Sequence, residues 1–480
     1  MLRIPYIILA VFIFGQLSAQ KIYHQENIGW KAKNMELLAI HDSANNQHVV
    51  FLVNGDSIRV YLLNRNDAVV RVFSFSRSDG EKVLGGFIDQ RKIYLFSENG
   101  KPGMFLNYIL NTEDGSVTQH FIGSELKNET VINHINSGNH FLYFTINKKT
   151  SEFSVYNWHN PANVDTIRFP FNNKNTWQDI FSTQGRFFIP TGTTSVGETG
   201  VLDIHTAGSL NKLYFIHDTL LLVLNNNIGI TKVYTFDIKG EKFSYREIKN
   251  DSVRKKYLQV SAEHGTKFIV DEEYADNTFL KDGKLYFVSA KTDRLFISIT
   301  DFYSGSLLQK FSVEKDGPID FKNTPIIQEG SDYLPNDKRE LTRTKQLLKK
   351  MLKTNAFIGV VTDSTRMALT IGAWEQELAG GGGSGISNSQ FTGVPGSMVS
   401  VPYRNDYVSP WTGAAYFRMQ LDSQSLSHIP GPMQTSIHDR VEEFTKNIKT
   451  GGVECLYKQD GHFIYIYYDK KLRSLVFTRF

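Results

Sequence analysis

Three observations predict an all-β chain assembled from repeated four-stranded units. The first is an internal echo: residues 111–121 (NTEDGSVTQHF) return in outline at 301–311 (DFYSGSLLQKF), keeping a glycine, the serine after it, a glutamine and a closing phenylalanine in the same places. That outline reads as strand, turn, strand, repeated. The second is a set of short apolar runs at 48–53, 92–96, 141–146, 186–190, 219–224, 284–290 and 462–468. Most follow a tight polar turn: Asn45-Asn46, Asp89-Gln90, Gly138-Asn139, Gln184-Gly185, Asp282-Gly283, Asp460-Gly461. Such pairs favour the positive φ that hairpin turns require, so each run is expected to be the second arm of a hairpin. The third is composition, with 34 Phe and 22 Tyr, residues that suit packed, pleated surfaces.

From the N-terminus, Arg3 precedes an apolar run over 7–14, followed by Leu17, Ser18 and Ala19. This reads as a signal peptide over 1–19 with cleavage after Ala19. The run is too short to span a bilayer, and no later stretch approaches the roughly 20 apolar residues a spanning helix needs. The expectation is an exported chain, periplasmic or at the cell surface, with no transmembrane segment and one domain over 20–480. Formal charge is +4 including Arg3, leaving +3 on residues 20–480, which argues against nucleic acid as a partner. A lone cysteine, Cys455, forbids an intrachain disulfide, so stability must come from core burial.

The apolar runs are apolar on both faces: Phe141, Leu142, Tyr143 and Phe144 are consecutive, as are residues 463–468. A strand of that kind is expected between two packed layers. A third strand ending in Asp or Asn, a turn with Gly115, Gly240 or Gly305, and a polar-starting fourth strand complete each unit. Units fall at 35–77, 82–123, 130–171, 176–210, 212–248, 267–313, 356–430 and 452–480, the fourth short and the seventh carrying a large insertion. Only three strands are legible in the last, and residues 21–25 are expected to supply its missing outer strand, covering an edge that would otherwise invite aggregation.

Two segments break the pattern. Residues 336–354 read as a helical insertion with Asn336 or Asp337 as N-cap and Leu341, Leu347, Leu348, Met351 and Leu352 as its apolar stripe. It is basic, with Lys338, Arg339, Arg343, Lys345, Lys349, Lys350 and Lys353 against Asp337 and Glu340. Residues 379–413, with Gly380 to Gly383 and many Ser, Asn and Pro, read as a long flexible loop.

Signals for catalysis are sparse. The glycine run lacks the Lys-Ser/Thr and the strand-to-helix context of a phosphate cradle, and there is no G-x-S-x-G elbow. The thirteen histidines show no metal-binding spacing, and His438-Asp439 reads as a helix start; no metal or cofactor is expected. Asp271, Glu272, Glu273 and Asp276 form the densest acidic cluster, which suits Ca²⁺ or glycoside chemistry if a second carboxylate faces it and a solvated loop otherwise. The binding candidates are Tyr403, Arg404, Tyr407 and Trp411, because aromatics beside arginine give large contact area at low entropic cost. Trp374 closes a strand and is expected to pack.

Taken together, the two-faced strands, the repeated turns and the incomplete last unit resemble the β-propeller superfamily: seven or eight four-stranded blades, one inserted helix and one long Gly-rich loop. The leader ending in Ser-Ala-Gln resembles those of exported Bacteroidota proteins. Asp42-Ser43-Ala44, Asp56-Ser57-Ile58, Asp165-Thr166-Ile167, Asp218-Thr219-Leu220, Asp251-Ser252-Val253 and Asp363-Ser364-Thr365 resemble their three-residue O-glycosylation motif, although turns entering strands use the same residues. Propellers host enzymes and scaffolds alike. The expected function is an exported, monomeric, non-catalytic protein that binds a protein or glycan partner through loops on one face. The alternative is an envelope hydrolase or lyase with carboxylates at a central channel. A membrane barrel suggested by Phe480 fits poorly, because 462–468 does not alternate as lipid-facing strands do.

Overall fold

The computed structural model describes residues 21–480 except 31–34, 43–46, 67, 79–80, 90, 100–103, 124–125, 127, 138–139, 148, 161–162, 172–175, 177–179, 181–192, 197–203, 228, 250–256, 263–264, 271–273, 330–337, 364, 377–411, 434, 436, 447, 449, 451–452 and 460–461. Its strands form seven sheets of four or five strands and one separate hairpin. Sheet I holds β2 (Glu36–Asp42), β3 (Gln47–Asn54), β4 (Ser57–Leu63) and β5 (Val69–Ser76). Sheet II holds β6 (Glu81–Asp89), β7 (Lys92–Asn99), β8 (Met104–Asn111) and β9 (Val117–Gly123), and sheet III β10 (Glu129–Ser137), β11 (His140–Asn147), β12 (Glu152–Asn160) and β13 (Asn163–Pro170). Sheet IV adds a parallel strand, β14 (Thr193–Val196), to β15 (Asn211–Ile216), β16 (Thr219–Asn227), β17 (Ile230–Asp237) and β18 (Lys242–Lys249). The hairpin is β19 (Tyr257–Ala262) with β20 (Gly265–Val270), and sheet V follows with β21 (Tyr274–Lys281), β22 (Lys284–Lys291), β23 (Arg294–Asp301) and β24 (Leu307–Glu314).

The last two sheets borrow strands from earlier in the chain. Sheet VI is ordered β26 (Arg339–Leu341), β25 (Ile326–Glu329), β29 (Thr412–Asp422), β28 (Arg366–Gln376), β27 (Asn355–Asp363), so its outer strands precede its inner ones in sequence. Sheet VII pairs β30 (Glu454–Gln459), β31 (His462–Asp469) and β32 (Ser474–Arg479) with β1 (Lys21–Asn27) from the other end of the chain. The expected clasp is thus present: Lys21 lies opposite Arg479 and Asn27 opposite Ser474. Tyr23 and His24 set their rings edge-on to Phe477, and Glu26 pairs with Arg59 of sheet I at 2.8 Å.

Second strands are buried along nearly their whole length; Val49 to Val53 are each at most 1% exposed. One face of β3 packs Val49 and Phe51 against Ile93, Leu95 and Tyr108 of sheet II, and the other packs Val50 and Leu52 against Cys455, Ile466 and Phe477 of sheet VII. The seam between sheets II and III is aromatic, with Phe96 stacked on Phe141 at 4.6 Å and Phe105 edge-on to Trp158 at 5.0 Å. Phe144 and Phe153 meet Tyr234 and Phe236 between sheets III and IV. Leu221 and Val233 meet Leu285 and Phe287 between IV and V, and Tyr286 and Val288 meet Phe357 and Leu369 between V and VI. Burying one such side chain is worth about 1.5–3 kcal/mol, so a sheet covered on both faces draws stability from each neighbour.

The repeat in the sequence is a structural repeat. Gly115 donates to the Asn111 carbonyl and Gly305 to the Asp301 carbonyl, both at 2.9 Å. Both glycines have positive φ, 77° and 72°, which glycine adopts without steric cost. The next unit shows where this signal fails: Leu426 donates to the Asp422 carbonyl at 3.0 Å with φ 58°, so the same turn is built there without glycine.

Three expectations need correction. The helix is shorter than 336–354: α2 runs Thr344–Lys353, and Arg339–Leu341 is instead the outermost strand of sheet VI. Pairing with β25 satisfies that backbone, and Arg343 is extended (φ −126°, ψ 137°), so helix begins only after it. Asn336 and Asp337 lie outside the described residues. Two further helices occur among the described residues, α1 (Ile204–Gly208) and α3 (Ile437–Thr445); the latter starts where His438-Asp439 suggested. The unit at 176–210 is not seen as a sheet: its described parts give β14 and α1, and the run at 186–190 lies outside the described residues. The clasp carries a testable consequence. Removing residues 21–27 is expected to lower the urea midpoint and cause concentration-dependent aggregation through the bared β32 edge; an unchanged midpoint would contradict the role given to β1.

Candidate functional site

Chain direction alternates within each sheet except at the parallel β14–β15 pair, so the links from first to second and third to fourth antiparallel strand gather at one end. Links from second to third strand, and from one sheet to the next, gather at the other. The first end carries the repeated short turns around Asn111, Asp301 and Asp422. At Asp301 and Asp422 an aspartate oxygen accepts from the amide and hydroxyl of a serine three positions on, at 2.7–3.0 Å, which holds both carboxyls below the usual range. The second end carries the long links: 171–192, 250–273, 315–354 and 377–411. Tyr403, Arg404, Tyr407 and Trp411 lie outside the described residues, in the link between β28 and β29, which leaves and rejoins the fold at this second end.

The same end contains a constellation that the sequence reading missed. Glu81 opens β6 and is 4% exposed. Its Oε2 accepts from Ser97 Oγ at 3.1 Å and Tyr108 OH at 2.6 Å, and its Oε1 from the Ser78 amide at 3.1 Å. Glu129 opens β10 and accepts from Thr145 Oγ1 at 2.5 Å and Tyr156 OH at 2.9 Å. All three members recur at an offset of 48 positions, 81/129, 97/145 and 108/156, a periodicity that a gapless self-comparison would have revealed. Glu329 holds Tyr416 OH at 2.8 Å and Glu454 holds Tyr465 OH, giving buried Glu–Tyr pairs in sheets VI and VII as well. Burial first, then the adjacent carboxylate, pushes the Tyr108 and Tyr156 phenols well above their usual range, so each remains a donor. A hydrogen bond to a charged group contributes about 1.5–3 kcal/mol. Tyr108→Phe and Tyr156→Phe are each expected to lower unfolding free energy by that order, as read by urea denaturation.

Between sheets IV, V and VI lies a buried lysine. Lys212, 0% exposed, donates from Nζ to the Ser209 carbonyl and to Asn277 Oδ1, the latter at 2.9 Å. Asn277 Nδ2 donates to the Gly208 and Ala356 carbonyls at 3.0 and 2.9 Å. Asn225 donates to Thr278 at 2.7 Å and accepts from Thr231 at 2.9 Å. One asparagine therefore ties three elements. Asn133 acts likewise from β10, donating to the Thr193 carbonyl and Ser195 Oγ at 2.8 and 2.9 Å. Its neighbour His134 is buried, bonds the Leu84 carbonyl through Nε2 at 3.0 Å, and is pushed down to about 3 by burial and by Lys82, so it is neutral near pH 7.

Burial, with no carboxylate partner among the described residues, pushes the Lys212 amine down to about 7. The unfolded chain keeps the ordinary value of 10.5, so between these two values the unfolded state binds the extra proton and stability rises with pH. Below about pH 7 the burial penalty is fully present, on the order of 5 kcal/mol at the limit. Unfolding free energy of the natural protein relative to Lys212→Met is expected to climb from pH 7 to pH 10; a flat difference would contradict this.

Of the acidic cluster, Asp271, Glu272 and Glu273 lie outside the described residues. Asp276 lies on β21, where its Oδ2 accepts from the Gly229 amide of sheet IV at 2.7 Å. Among the described residues no group of three or more His, Cys, Asp or Glu is placed to hold a metal ion, and no helix is long and apolar enough to cross a membrane. Trp374 packs as expected: it is 2% exposed, and a Cβ on Gly208 would meet its Nε1 at 1.9 Å. Cys455 is buried and forms no disulfide.

The α2 helix lies in a link of the second end. Leu347, Leu348, Met351 and Leu352 are buried, while Lys345, Lys349 and Lys353 are exposed at i, i+4 and i+8. Like charges four apart cost about 0.2–0.5 kcal/mol per pair, and Lys345, in a first turn without an acid, opposes the helix dipole. The apolar stripe holds the helix in place despite its charge pattern.

No family model matches the sequence, and no curated protein matches it. Among solved structures, an apocarotenoid oxygenase mutant from Synechocystis is similar over 58% of this chain and 61% of its own, at 6% identity and TM-score 0.30. The match spans less than two thirds of the oxygenase. An uncharacterised protein from Listeria monocytogenes EGD-e is similar over 93% of this chain and 94% of its own, at 10% identity and TM-score 0.35. Hsv2 from Kluyveromyces lactis is similar over 67% and 86% respectively, at 12% identity and TM-score 0.28. These scores assign the chain to no family.

Proposed function

We propose that this chain is an exported, non-catalytic β-propeller of seven blades that binds a protein or glycan partner through the segments at the second end of its sheets. The observation that supports the reading is a bias of irregularity: one end repeats short turns, while four long links, 171–192, 250–273, 315–354 and 377–411, leave from the other, and one further long link, 423–453, leaves from the turn end beside Asp422. Binding residues concentrate on loops held by a rigid scaffold, and residues 379–413 bring Tyr403, Arg404, Tyr407 and Trp411 within nine positions of one another there.

Closure of the ring is part of the proposal. Six consecutive seams join sheets VII, I, II, III, IV, V and VI. For the seventh, α3 packs Val441 and Phe444 on the outer face of sheet VII, against Tyr465 and Val476. Arg418 of sheet VI pairs with Asp439 of α3 at 2.7 Å, which supports the helix as the wedge between the last sheet and its neighbour.

Replacing residues 379–413 with a short Gly-Ser linker should leave the melting temperature near that of the natural protein and abolish capture of partners from envelope extracts and glycan arrays. Retention of every partner by this variant would overturn the reading. In the source organism, the mature chain should begin at Gln20 and be recovered outside the cytoplasm.

A further inference from the structure

We propose that the exposed face of α2 is a docking strip for an acidic polysaccharide, a linear chain with carboxylate or sulfate groups at regular intervals. Lys345, Lys349 and Lys353 stand in a row with steps of about 6 Å along the helix, and none has a carboxylate partner among the described residues. No Asp or Glu interrupts residues 344–353. A helix face kept only for solubility interleaves acids with its lysines, because opposite charges four apart stabilise and like charges destabilise. Here the like charges persist, and among the described residues no carboxylate pairs with the three ammonium groups. Asp316 lies near the first turn, beside Gly317, whose carbonyl accepts from Thr344 Oγ1 at 2.6 Å; it borders the row only at that end.

The alternatives fit the surface less well. A membrane-surface helix needs an apolar face to insert, but Leu347, Leu348, Met351 and Leu352 are 0–6% exposed, and no large apolar residue described between 309 and 471 is exposed. Nucleic-acid binding needs a broad basic footprint, whereas the chain is nearly balanced over 20–480. Lysine is a rotatable point charge without the bidentate fork of arginine, which suits an evenly spaced anionic polymer over one fixed acidic motif. The strip lies in the link between sheets V and VI, a different link from residues 379–413, and the inference uses no residue of that loop.

The test uses the purified full chain with polygalacturonate as the anionic probe, neutral dextran as control and phosphatidylglycerol vesicles as the membrane arm. The natural protein should bind polygalacturonate, release it as salt is raised, and ignore dextran. Lys345→Gln, Lys349→Gln and Lys353→Gln combined should weaken binding by at least about tenfold. Because the triple variant removes like-charge repulsion, its melting temperature should hold or rise, so lost binding cannot be assigned to unfolding. The linker variant lacking 379–413 should still bind, which separates failure of this inference from failure of the loop reading. No binding to polygalacturonate, undiminished binding by the triple variant, or preference for the vesicles would each overturn it.

Discussion

The constraint from which the rest follows is that each sheet is apolar on both faces. A strand such as β3, with Val49, Phe51 and Val53 on one side and Val50 and Leu52 on the other, has no stable place at a solvent boundary. It needs a layer above and a layer below. An open stack of such sheets would leave its two terminal faces exposed, and burying them is the driving force for closure. The chain also borrows strands: β25 and β26 reach forward to complete sheet VI and β1 reaches across the sequence to complete sheet VII, while α3 packs on a face of sheet VII. The borrowed strands pair sheet edges and the helix supplies apolar cover.

Sheets stacked face to face cannot be uniformly oily, because backbone groups beside the inner strands need partners. Asn133 and Asn277 meet that need from equivalent inner strands, reaching carbonyls of the next sheet. The Glu–Tyr pairs do the same within sheets. Asn133, Asn277, Glu81 and Glu129 each hold two or more partners, which makes them structural ties. A carboxylate that already accepts a phenol and a hydroxyl, or a histidine held neutral against a carbonyl, has little capacity left for substrate. The second end therefore combines tightly bonded strand ends with the attachment points of long links.

Much of the scaffold was legible in the sequence because hairpin turns and two-faced strands leave local traces. Asp282-Gly283 marked a turn, residues 284–290 a buried strand, and residues 21–25 the missing outer strand. What failed was non-local. Nothing in Arg339–Leu341 distinguishes a strand from the first turn of the basic helix; pairing with Ile326–Glu329 decides it. Leu426 takes the positive φ that glycine takes elsewhere, so a glycine search passes over that turn. The Glu81 and Glu129 triads span three strands each and emerge only when positions 48 apart are compared. Tyr403, Arg404, Tyr407 and Trp411 were chosen on composition and lie outside the described residues, so the candidate site is defined by the strands that flank it.

Closure is the claim on which the account rests most heavily, and strand-resolved hydrogen exchange tests it directly. In a closed ring the second strands β3, β7, β11, β16, β22, β28 and β31 share two-sided cover, and their amides should exchange as one slow class through global unfolding, with β1 protected alongside β32. If β1 exchanges like a free peptide, or β28 and β31 open long before the others, the ring is not closed and the two terminal sheets stand exposed.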